Sequence, residues 1–161
     1  MRKEKSQKKG KVETKKLIPN DVFFASVEQL VGEGHSVEIT IKGFSMRPFL
    51  RNGRDVVVLS PMTGVALREG MVVLFRYKGK HILHRLCRIE GERLIMEGDG
   101  NYRLQEEVGA EDVVAYVSQV KLAGGCNFGY NSPLWRRRTM LSLARKRLRT
   151  LAIDIKRKII G

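Results

Sequence analysis

The 161-residue chain contains two cysteines, Cys87 and Cys126, too few for a disulfide framework. No apolar run approaches the roughly 18 residues a membrane-crossing helix needs, so no transmembrane helix is expected. The N-terminus is basic, but the apolar region of a secretory signal does not follow it. There is no internal repeat. Acidic residues are scarce at both ends: residues 1–16 hold two and residues 134–161 hold one, against eight and ten Lys/Arg.

What is present is a chain of single-domain size with an ordinary 42% of hydrophobic residues. Its net charge of +14 is unevenly spread. The two ends carry +6 and +9, and residues 17–133 carry −1, from thirteen basic and fourteen acidic side chains. A neutral central domain with basic tails argues against a surface built for nucleic acid.

Residues 1–16 are rich in Lys and Glu, lack apolar periodicity and read as a disordered basic arm. Pro19-Asn20-Asp21 marks a helix start, and the apolar positions from Val22 to Val31 give a short amphipathic helix ending at Gly32 and Gly34. Alternation predicts a strand over Ser36–Lys42, and short runs bounded by turns predict strands over Asp55–Leu59, Gly70–Tyr77, His81–Ile89, Arg93–Met96 and Val113–Val120. Lys78-Gly79-Lys80 supplies a hairpin turn. Short strands with turns every eight to twelve residues predict a mainly β fold, an antiparallel coiled sheet or barrel. Gly124–Pro133 reads as a loop, and residues 134–160 as a basic amphipathic helix, in one piece or two.

Three short segments carry the chemistry: Gly43-Phe44-Ser45-Met46-Arg47-Pro48, His84-Arg85 and Gly98-Asp99-Gly100-Asn101. A serine hydroxyl is a poor nucleophile until a neighbouring base takes its proton, so a serine and a histidine on separate rigid elements suit acyl transfer. Met46 is placed to anchor the turn beneath Ser45, and Pro48 to fix the chain direction after it. Strand alternation puts His84 on one face with Ile82 and Leu86, an apolar setting that favours a neutral, proton-accepting imidazole. His81 falls on the other face with Arg85 and Cys87, at a solvated hairpin edge. That separation of His81 and Cys87 from His84 speaks against a metal site, and no cofactor is expected.

The pattern resembles the signal peptidase I superfamily, whose members share a Ser-Met-x-Pro box with the repressor-type self-cleaving proteases. It is similar to the histidine branch, that of the endoplasmic-reticulum and archaeal signal peptidases, over residues 36–120. The resemblance implies a signal-peptidase type of sheet and a serine endopeptidase with Ser45 as nucleophile and His84 as general base. In that branch an acid follows to orient the histidine. The resemblance implies Asp99 in that role, with Glu106 as the alternative and Glu107 after it. The oxyanion is served by the Ser45 backbone N–H. Some members add a hydroxyl two residues earlier, where this chain has Gly43. The implied substrate is a peptide or preprotein held in extended form, with small side chains near the cleaved bond.

The expected organisation is then a basic arm over 1–16, a peptidase-like β-domain over 17–125, and a loop with a basic helix over 126–161. That helix has two readings: packed on the domain with a solvated basic back, or lying on an anionic membrane surface. Two other functions compete, a self-cleaving regulator of the repressor type and an inactive peptidase fold that binds membrane or nucleic acid. The expected location is cytoplasmic or peripherally membrane-associated.

Overall fold

The computed structural model describes residues 20–160, and the basic arm expected over 1–16 lies outside them. Helix α1 spans Asn20–Gly32. Eight strands follow: β1 Val37–Thr40, β2 Val56–Ser60, β3 Val72–Tyr77, β4 Lys80–Glu90, β5 Arg93–Glu97, β6 Glu106–Val108, β7 Val113–Lys121 and β8 Asn127–Gly129. Helix α2, Pro133–Ile160, closes the described chain.

All pairings are antiparallel, in the order β1-β2-β7-β3-β4-β5-β6, with β8 also on β7. The mainly β, antiparallel expectation holds, as an open sheet whose end strands are β1 and β6. Two strands escape the sequence reading. The three-residue β6 lies where only a run of acids was noted, and β8 lies inside the stretch expected to be a loop. Each is too short to display alternation. The sheet therefore includes β8, past residue 125.

Strand β3 explains its own sequence. Val72 and Leu74 pack into one core with Ile39, Leu59 and Val117, while Met71, Val73 and Phe75 pack into a second with Leu86 and Met96. All five of those residues from Met71 to Phe75 have no exposed surface, because a core packs on each face of the sheet at its centre. Strand β4 carries a bulge between Leu86 and Arg88, leaving Cys87 without a partner on β5.

Helix α2 is unbroken. Its start is set by Ser132, whose Oγ accepts the Trp135 N–H at 3.2 Å, with Pro133 at the first helical position. Trp135 is buried against Phe49 and Tyr130, both edge-to-face with centroids 5.0 and 5.3 Å away. Beyond this anchor the helix departs from the first of its two readings, a packed apolar face. The face turned to the sheet is polar, through Thr139, Ser142 and Lys146, while Met140, Leu141, Leu148, Leu151, Ile155 and Ile159 are exposed. The apolar stripe points away from the domain, not into it.

Candidate active site

Ser45 sits in the loop after β1, half-buried, in a series of turns running to Leu50. Met46 is 3% exposed and Phe49 and Leu50 1% each, so the residues after Ser45 root the loop in the core, as expected for Met46. Gly43, at φ +95°, bends the chain into the loop. Its N–H donates to Asn52 Oδ1 at 2.9 Å. That bond engages the Gly43 N–H, leaving the Ser45 N–H as the backbone donor named for an oxyanion.

His84 is buried on β4 beside Phe75, whose ring centroid is 6.3 Å away. Its Nδ1 lies 2.9 Å from Glu106 Oε2. An ionised carboxylate only accepts hydrogen bonds, so Nδ1 carries the hydrogen and Nε2 is left as a proton acceptor. Glu106 is held in place by β6, the strand too short to be predicted.

Asp99 does not take the orienting position. Its Oδ1 accepts from Arg85 Nε at 2.8 Å, and its Oδ2 from Arg85 Nη2 at 2.7 Å and Ser142 Oγ at 2.8 Å. The physical reason is alternation: Arg85 is on the opposite face of β4 from His84, and a guanidinium buried there requires a carboxylate. Glu106 meets His84 instead. Glu107 points elsewhere, to the exposed Arg93.

The Gly98–Asn101 turn joins the two sides of the site. The Gly100 N–H donates to the Ser45 carbonyl oxygen at 2.7 Å. A Cβ placed on Gly98 would lie 2.6 Å from that same oxygen, 2.9 Å from Asn101 Nδ2 and 3.0 Å from His84 Nε2. His84 Nε2, the Ser45 main chain and the Asn101 amide thus crowd around one glycine. The Ser45 hydroxyl makes no hydrogen bond to His84 in this structure; the turn brings the residues together. Asn101, the last residue of the third motif, joins the site, and nothing in the sequence beyond that motif marks it.

His81 is not solvated as expected. Its Nε2 lies 2.9 Å from Glu28 Oε2, and its ring stacks on Phe24 at 5.2 Å, tying β4 to α1. His81 and His84 therefore have separate acidic partners. Cys87 is half-buried, and burial, followed by the charge of Glu97, raises its thiol from 9.0 to about 11, away from thiolate chemistry.

A groove of about 220 Å³ runs past Ser45. It is bounded by residues 39–46, by His81–Leu83 of β4, and by Phe23 and Phe24 of α1. Both flanking strands have unused backbone edges. Strand β1 pairs only with β2, and β5 pairs with β4 only from Arg85 onward, leaving Lys80–His84 open on that side. Among the described residues no helix is long and apolar enough to cross a membrane. A scan against protein-family models found no match to this chain, and a search of curated proteins found none either.

Proposed function

We propose that the chain is a serine endopeptidase of the signal-peptidase type, cleaving a leader or signal-like segment with Ser45, His84 and Glu106. The observation that carries this reading is the polarity of His84: Nδ1 on a half-buried carboxylate, Nε2 turned to the junction that holds the serine loop. In this mechanism Ser45 Oγ attacks a peptide carbonyl while Nε2 takes its proton, and the imidazolium passes that proton to the leaving amine. Water then hydrolyses the acyl-enzyme by the same route. Glu106 keeps the tautomer and stabilises the positive ring. The groove beside Ser45, flanked by two open strand edges, suits an extended peptide that adds to the sheet.

The test is labelling with a fluorophosphonate probe together with cleavage of a leader peptide. Wild-type protein is expected to label, and Ser45→Ala and His84→Ala to lose both signals. A folded wild type that neither labels nor cleaves returns the chain to the inactive binding reading.

The place of action follows from α2. Its outward apolar stripe is flanked by Arg136, Arg145, Arg147 and Lys156, and the segment 134–161 has ten basic side chains to one acidic. Two copies of so basic a helix repel each other, whereas an anionic membrane surface attracts the charge and takes up the stripe. The peptidase is therefore proposed to work at such a surface.

A further inference from the structure

We infer that the basic cavity behind the serine loop is a binding site for a phosphate-bearing ligand. The cavity, about 730 Å³, lies between the serine loop, the turn after β5 and α2. Six cations line it: Arg47, Arg51, Arg138, Arg145, Lys146 and Arg149. Its one carboxylate, Asp99, has both oxygens occupied by Arg85 and Ser142. Lys146 is matched by Glu97. Among the described residues no carboxylate pairs with any of the five arginines.

Two of those arginines are held in place by neutral groups. Arg138 Nη2 donates to the Phe49 carbonyl at 2.8 Å, with the Phe49 and Phe128 rings 6.0 and 5.6 Å away. Its Nε is buried and has no hydrogen-bond partner among the described residues. Arg149 Nη1 donates to Tyr102 Oη at 2.8 Å. Gathered like charges repel one another. An anion in the cavity relieves that repulsion.

The ligand chemistry follows from charge and shape. Five unmatched guanidinium groups exceed what a single peptide carboxylate balances. Their planar donor forks suit the oxygens of phosphate. The cavity is a concavity bounded by three elements. The same phosphate could arrive as a phospholipid headgroup or as a soluble phosphate ester. Arg145 and Arg149 stand on α2 between the cavity and the outward stripe of Leu141 and Leu148, which makes a headgroup a fitting occupant.

The test is titration of the full chain with inorganic pyrophosphate. The probes are wild type, the cavity variant Arg51→Ala/Arg145→Ala, and a control, Arg137→Ala/Arg157→Ala, that removes equal charge from α2 outside the cavity. All four residues are exposed, so folding is checked simply by melting temperature. Wild type and control are expected to bind within about twofold of each other, and the cavity variant at least about tenfold more weakly. Equal weakening in both variants, or no binding by wild type at millimolar pyrophosphate, would overturn the site. Vesicles containing phosphatidylglycerol separate the sources. Release of bound protein by pyrophosphate makes the headgroup the occupant, and vesicle binding that resists pyrophosphate assigns the cavity to soluble phosphates. No step uses peptidase activity, so this site and the serine chemistry succeed or fail separately.

Discussion

Arg85 and Asp99 form a bidentate ion pair, each side chain 1% exposed, with Nε–Oδ1 and Nη2–Oδ2 separations of 2.8 and 2.7 Å. Arg85 also lies over the Phe49 ring and donates to the Gly70 carbonyl and Thr139. The pair thus ties β4, the Gly98–Asn101 turn, the serine loop and α2 together. Removing one member leaves the other charged and buried. Asp99→Ala is expected to cost about 3–5 kcal/mol of stability, visible as a large fall in melting temperature.

Glu106→Gln is expected to behave in the opposite way. A glutamine keeps the volume but no longer stabilises a charged imidazole. Melting temperature should stay close to wild type while kcat for leader-peptide cleavage falls about 10²- to 10⁴-fold. Loss of stability without a change in kcat would remove Glu106 from the mechanism.

Gly98→Ala places a methyl carbon 2.6 Å from a backbone oxygen and 3.0 Å from His84 Nε2. The backbone cannot yield as a flexible side-chain end would. The variant is expected to lose about 1–3 kcal/mol and to label poorly with the fluorophosphonate probe even where it remains folded.

The two thiols should separate cleanly. Cys126 is exposed, while burial and Glu97 push Cys87 up to about 11. At about pH 8 iodoacetamide should modify Cys126 at least about tenfold faster, as peptide mapping by mass spectrometry would show. An unfolded chain releases the Cys87 proton near 9.0 and the native one near 11, so this group makes stability fall as pH rises between those values.

For α2, Leu148→Glu/Leu151→Glu changes two side chains that are 68% and 58% exposed. Melting temperature should hardly change. Co-sedimentation with anionic vesicles should weaken at least about tenfold, since each leucine contributes about 1.5–3 kcal/mol when it leaves water. Unchanged sedimentation would detach the stripe from the membrane.

Much of this was legible in advance because strand alternation is a local signal. Val37, Ile39 and Ile41 announced β1, and Ile82, His84 and Leu86 announced which way the histidine points. Alternation also put Arg85 on the other face, and pairing that buried cation with Asp99 was within reach. Asp99 stands next to the histidine segment in the motif, but the charge balance of the strand's other face draws it to Arg85. Glu106 was harder to rank, since only the three-residue β6 brings it to His84. The outward face of α2 had no local signal at all. Leu141, Leu148 and Ile155 have the same spacing whether they meet a core or solvent, and the choice is made by Thr139, Ser142 and Lys146 meeting polar groups of the sheet.

The bulge at Cys87 has a consequence for how errors in the chain would be read out. Ahead of it, His84 and Arg85 are consecutive residues with opposite faces and unrelated tasks, one facing Glu106 and the other Asp99. A one-residue slip of β4 in one direction would bring His84 to Asp99, and in the other would bring Arg85 to Glu106, breaking both native pairings either way. The extra residue at Cys87 is a local slack point at which β4 can absorb a length change on its β5 side. Indels near Lys78 and near Cys87 should therefore differ sharply in tolerance, although both act on strand β4.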